Sequence, residues 1–236
     1  MTDRQRIRVD IVSDVMCPWC YVGKRRFARA LQLVPEFDVE VGWRPFQLDP
    51  TLPAEGIERR EYLERKFRDP ERIAAMHDAL VEAGAAEGIP FAFDRIARAS
   101  NTLDAHRLIL WASASGAAEA MAERLFALYF TEGADIGDRR TLSKAAASLG
   151  MRADRVAMLL AGDTDRETVK RDITRARQIG ITSVPTFIVA GKYAVVGAEA
   201  PAFIAETLRV AAGELAGTTG PETTKGDTDG AAPVCS

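Results

Sequence analysis

The sequence predicts an α/β fold: one mixed sheet flanked by helices and interrupted by a large all-helical insertion. Three observations predict it. The opening third reads strand, helix, strand. Residues 56–179 are rich in Ala, Leu, Glu and Arg and keep a helical period. Strand character returns only after residue 180, followed by one more amphipathic helix.

Taken in order, residues 7–12 (IRVDIV) are β-branched and alternate, as a buried strand does. Phe27, Leu31 and Val34 then recur at helical spacing, with Lys24, Arg25, Arg26 and Arg29 on other faces, and Pro35 ends the helix. FDVEVGWRPF alternates as a second strand over 37–43, and a helical crossover makes such a pair parallel. In the middle, helices are expected over 58–68, 70–88, 102–115, 117–132, 138–149, 153–160 and 164–178. Pro70 suits a first helical turn, Asn101 can cap the helix holding Leu103 and Leu110, and Gly180 suits a C-terminal cap.

ITSVPTFIVA (181–190) and 193–196 read as an antiparallel hairpin joined at Gly191-Lys192. The last helix, 201–215, gathers Phe203, Ile204, Leu208 and Ala211 on one face. The expected division is a discontinuous α/β domain from 1–55 and 180–216, a helical insertion domain over 56–179, and a flexible Gly/Thr/Asp/Pro-rich tail over 217–236. That order of elements is thioredoxin-like.

The composition is that of an ordinary globular chain, 47% hydrophobic and 28% charged. A net charge of −3, with both signs interspersed, argues against a nucleic-acid partner. No apolar run approaches the ~20 residues of a membrane span, and the N-terminus lacks the apolar core of a signal peptide. The expected location is therefore cytoplasmic. No oligomeric state is read from the sequence.

The chemistry concentrates in MCPWCY. A Cys-x-x-Cys pair can hold a metal, close a loop or exchange electrons. Structural zinc needs four ligands, and the remaining candidates, Cys235, His77 and His106, have no ligand spacing, so no metal site is expected. A reducing compartment disfavours a structural staple. A Cys-x-x-Cys beside a β-α pattern favours redox chemistry. Cys17 ends the strand and opens the helix, where unpaired N–H groups and the helix dipole stabilise a thiolate. Cys20 lies one turn on, and Pro18 has no N–H to lose. Cys17 is expected to be the exposed attacking thiolate and Cys20 the shielded resolving thiol.

The second element is Thr182-Ser183-Val184-Pro185-Thr186-Phe187. A proline entering a strand costs a ladder hydrogen bond. It reads either as an edge-strand proline or as a cis Val184–Pro185 bond that starts the strand and leaves backbone groups to pair with an extended peptide.

With these residues together, the chain resembles the DsbA family of thiol–disulfide oxidoreductases, in particular its FrnE-like branch, which is related to 2-hydroxychromene-2-carboxylate isomerases. The resemblance covers roughly residues 7–213 and rests on CPWCYVGKRRF, NTLDAHRLILWA and GITSVPTFIVAGKYAVVGA. It implies a thioredoxin-like fold with a helical insertion and thiol–disulfide exchange, with Cys17 as nucleophile and Cys20 resolving. Met16, Pro18, Trp19, Val184 and Pro185 would meet the substrate, and Trp19 sits in the dipeptide that tunes redox poise. The implied partners are protein or peptide thiols and disulfides, with no required cofactor and glutathione as a candidate thiol partner. The isomerase relatives typically carry Ser at the first position, whereas this chain keeps both thiols. The alternatives kept beside exchange are a glutathione-dependent isomerase or transferase and a non-catalytic peptide-binding module.

Smaller signals remain. His106 shares a helical face with Leu103, Leu110 and Trp111, which reads as a buried histidine, while the branch resemblance places Asn101 and His106 at the cleft border. Lys24, Arg25 and Arg26 read as a solvated helix face. Cys235, in the tail, is an oxidisable thiol that could reach the active site or another chain.

Overall fold

The structure is a computed structural model describing residues 4–215. Strand β1 (Gln5–Ser13) pairs in parallel with β2 (Phe37–Pro45) across helix α1 (Pro18–Gln32). On its other side β1 pairs antiparallel with a strand from the far end of the chain, Thr186–Val189, which in turn pairs with Tyr193–Val196. Helix Pro201–Leu215 follows. The alternation sets the faces. Ile7, Val9 and Ile11 turn into a core with Phe27, Phe187, Ile204 and Leu208, and the Phe27 and Phe187 rings stack at 5.3 Å. Arg8 and Asp10 turn outward and pair with Glu40 and Arg44.

Between the two halves lies the helical insertion. A two-residue strand β3 (Ile57–Glu58) leads into α2 (Arg59–Phe67) and α3 (Pro70–Ala86), and β4 (Arg98–Ala99) pairs back on β3. Then come α4 (Leu103–Ser113), α5 (Ala118–Phe130), α6 (Arg139–Ser148), α7 (Ala153–Ala161) and α8 (Arg166–Gln178). The late strands are accordingly β5 and β6, and the last helix α9. Carboxylates start several helices: Glu58 accepts from Arg60 and Glu61 N–H, Asp69 from Glu71 and Arg72, and Asp138 from Thr141. Each such cap contributes about 1 kcal/mol. Gly180, at φ +91°, follows the end of α8 as a left-handed residue should.

Four details depart from the sequence reading. The β3–β4 ribbon was not foreseen, because two residues per strand carry no period. The strand expected over 181–190 shrinks to β5, since 181–185 forms a loop around Pro185, and the following turn centres on Ala190 and Gly191, at φ +52° and +69°. Phe203 is exposed, its place on the buried face of α9 taken by Ala205 and Ala212. Lys24, Arg25 and Arg26 are not a solvated face. Lys24 is buried and bridges Glu119 (2.6 Å) and Glu123 (2.8 Å) on α5, Arg25 joins Glu123 at 2.5 Å, and Arg26 binds Glu87 and the Ala198 carbonyl. The run ties α1 to the insertion.

Apolar packing makes the same connection. Tyr21 stacks on Phe126 at 5.1 Å, and Cys17, Trp19, Cys20 and Tyr21 share one core with Leu80, Leu108, Leu125 and Phe130. Arg107, fully buried, donates to the carbonyls of Leu159, Gly162 and Thr164 and to Asp104, closing the C-terminal end of α7.

Candidate active site

Cys17 is the N-cap of α1, with extended backbone (φ −92°, ψ 114°), and Pro18 takes the first helical position. Its N–H donates to Asp14 O at 3.0 Å, and its carbonyl receives Cys20 N–H at 3.1 Å. The first turn of α1 itself carries no acidic residue. The Cys17 thiol reaches the Val184 carbonyl at 3.7 Å, across 167 positions of sequence. The Val184–Pro185 peptide is cis. Pro185 O is held by Gly197 N–H at 2.8 Å, and Thr186 is anchored to Ser183 O through its hydroxyl. Gly23, six residues after Cys17, leaves the room that the Pro185 ring occupies.

Beneath the turn lies a residue the sequence reading passed over. Asp14 is fully buried, and its carboxylate receives Leu48 N–H at 2.8 Å and Met16 N–H at 3.4 Å. It thereby joins the turn before Cys17 to the segment after β2. Its signal was present: an acid just past a strand, three residues before a helix-opening cysteine.

His106 Nε2 lies 2.9 Å from Phe46 O and 3.5 Å from Asp14 Oδ1. A carbonyl only accepts, so Nε2 carries the proton. Asn101 lies one residue before Thr102, the N-cap of α4; its side chain accepts from Leu103 N–H at 3.0 Å, receives Gln47 Nε2 at 3.1 Å and donates to Leu52 O. Arg177 adds a bond to Gln47 O at 2.6 Å. Asn101 and His106 thus grip the 46–52 segment that supports the Cys17 turn.

One expectation is corrected. Cys17 is not exposed: its accessibility is 0%, Cys20's is 2%, and Met16 and Trp19 are also buried. The insertion covers the turn that a free-standing helix terminus would present to water. Met16 and Pro18 do line a small cleft between the turn and α2–α3, which the sequence did not reveal. Cys235 lies outside the described residues. Among those residues, no group of three or more His, Cys, Asp or Glu side chains is placed to hold a metal, and no helix is long and apolar enough to cross a membrane.

The chain as a whole is similar to known proteins. A probable DsbA oxidoreductase from Streptomyces coelicolor, SCO1869, is 32% identical and superposes with a TM-score of 0.82 over 94% of both chains. A 2-hydroxychromene-2-carboxylate isomerase shares the fold at 15% identity, with a TM-score of 0.68 over 90% of this chain and 100% of its own. So does the cytosolic disulfide reductase DsbM from Pseudomonas aeruginosa with GSH, at 17% identity and a TM-score of 0.58 over 89% of this chain and 98% of its own. Residues 8–209 match the family described as the DSBA-like thioredoxin domain, and the chain belongs to that family.

Proposed function

We propose that the chain is a thiol–disulfide oxidoreductase that exchanges disulfides with protein or small-thiol substrates through Cys17 and Cys20. The observation that carries the reading is the cysteine at the start of α1 lying beside the Val184 carbonyl and Pro185. In the reducing direction the Cys17 thiolate attacks one sulfur of a substrate disulfide. The substrate S–S bond breaks, and the departing sulfur takes its electron pair and a proton. Cys20 then attacks the Cys17 sulfur, the second substrate thiol leaves, and the chain holds a Cys17–Cys20 disulfide. Two electrons and two protons have passed to the substrate, and oxidation of a dithiol runs the same steps in reverse.

Met16 from the turn before α1, and Pro18 and Trp19 from its first turn, frame the reacting sulfur on one side, and Val184 and Pro185 on the other. These five are assigned to substrate contact. Asn101 and His106 act as positioning residues, through the backbone of the 46–52 segment. On this reading 1–55 and 180–216 form the catalytic unit and 56–179 its helical cover. The cycle needs no resident cofactor. Glutathione, bound in the DsbM structure, is the small thiol proposed to recharge the pair from a reduced cytoplasmic pool.

The test is insulin reduction coupled to glutathione, with a glutathione redox titration of the pair. Turnover by the native chain and its loss in Cys17→Ser are expected. A Cys17→Ser variant that keeps the native rate would sink the proposal.

A further inference from the structure

The cleft beside Met16 and Pro18 has apolar walls, among them Leu48, Tyr62, Leu63, Met76 and Phe130, and a cationic side formed by Arg59 and Lys66. No Asp or Glu lines it. That composition is unusual for this molecule. Elsewhere among the described residues, every lysine or arginine that is buried or half-buried stands within 4.0 Å of a carboxylate. This holds for Lys24, Arg25 and Arg26 on α1 and for Arg98, Arg107, Arg124 and Arg166 in the insertion. Arg59 and Lys66 are the exceptions, and both face the same cleft.

Arg59 has only weak neighbours for its charge. Its guanidinium donates to His77 Nε2 at 3.3 Å and to Phe93 O at 3.5 Å, and lies 5.2 Å over the Phe93 ring. A guanidinium only donates, so His77 Nε2 is the acceptor and its ring is neutral. Burial, then the Arg59 charge, lowers the His77 pKa in keeping with that. Lys66 lies over the faces of Tyr62 and Phe67, at 5.9 and 5.7 Å, with Asp49 beside it in an adjoining hollow but beyond ion-pair distance. A desolvated cation without a counter-charge is costly, and an anion brought by a ligand offsets that cost.

We infer that this cleft is a specificity site for small thiols or disulfides whose apolar or aromatic body carries a carboxylate. The body packs on Met16, Tyr62 and Phe130, and the carboxylate meets Arg59 and Lys66. The ligand sulfur is thereby delivered past Pro18 to Cys17. The occupant is a small molecule because the cleft admits a group about the size of a side chain or an arene. The inference rests on the exchange reading for its last step. That step is the one already written: Cys17 bonds to one ligand sulfur, and the other leaves with the electron pair.

Two measurements separate the inference from the exchange reading. The first compares the rates at which the reduced full-length chain reacts with dithiobis(nitrobenzoate), a dicarboxylated aryl disulfide, and with dithiodipyridine, an uncharged one. The ratio of the two rates should fall about tenfold in Arg59→Gln and also fall in Lys66→Gln, as expected for loss of a charge-assisted contact. An unchanged ratio in both variants overturns the inference. The second omits the thiols: in a Cys17→Ser/Cys20→Ser chain, naphthoate should bind more tightly than naphthamide, and Arg59→Gln should erase the preference. Equal binding of the two probes overturns the cleft even if exchange is confirmed. Preserved preference for naphthoate upholds it even if Cys17 proves unreactive. If Arg59→Gln slows insulin reduction while saturating naphthoate does not, the cleft serves polypeptides and the inference fails.

Discussion

Gly23 and Pro185 touch across the active site: a Cβ built on Gly23 would stand 2.7 Å from the proline Cγ and 3.4 Å from Phe187 Cζ. The Pro185 ring is rigid and Phe187 is fully buried, so neither can yield cheaply. In Gly23→Ala the 184–185 segment must therefore shift away from Cys17. The expected result is a several-fold slower insulin reduction and a stability loss of about 1–3 kcal/mol. Urea denaturation and the insulin assay check it, and native values in both would show that the loop yields freely.

Asp14 holds two backbone N–H groups in a place with no solvent access. Asp14→Ala strands both, at about 1–3 kcal/mol for each buried group left unmade. Equilibrium denaturation should register the loss. The Cys17/Cys20 equilibrium with glutathione should also move, because the turn carrying Cys17 is no longer tied to Leu48. A change below about 0.5 kcal/mol would mean that the groups find other partners.

The joint between α1 and α5 should be acid-sensitive. Burial raises the Glu123 carboxyl, but the hydrogen bond and charge of Lys24, with Tyr21 and Arg25, outweigh it and hold its pKa below the ordinary carboxylate range. A folded pKa below the unfolded one means stability that is fully present above about pH 4.3 and lost as pH falls through the folded value. Glu123→Gln should lower stability at pH 7 and flatten the decline below about pH 4.3. Parallel slopes for both chains across that acid window would contradict this.

Arg107 is a buried cation whose partners are three carbonyls and one carboxylate. Arg107→Ala leaves the three carbonyls without this donor, while Asp104 keeps Arg139 and Arg166, and should cost about 1–3 kcal/mol for each buried carbonyl left unmade. Arg107→Lys should recover only part of that, since one ammonium cannot reproduce the guanidinium fork. Thermal and urea unfolding of the three chains give the ranking directly.

Local chemistry explains why so much of the fold was legible. The helices of the insertion end within about two residues of their expected limits, because Pro70, Asp69, Asp138 and Gly180 act on their own neighbouring N–H and C=O groups. The surface assignment of Lys24 failed for the complementary reason. Helical periodicity reports which face a residue occupies but not whether α5 will bring Glu119 and Glu123 against that face.

By itself the sequence determined the order of elements, the helix-opening Cys17-Pro18-Trp19-Cys20 turn and the proline loop meant to face it, because turn chemistry and hydrophobic period act over a few residues. Only the tertiary structure decided that the Cys17 thiol meets Val184 O, that the insertion closes over both cysteines, and that Arg59 and Lys66 share a cleft without a carboxylate. Those facts depend on which surfaces pack across more than a hundred residues of chain. Exposure and charge pairing belong to such contacts, not to spacing along the backbone.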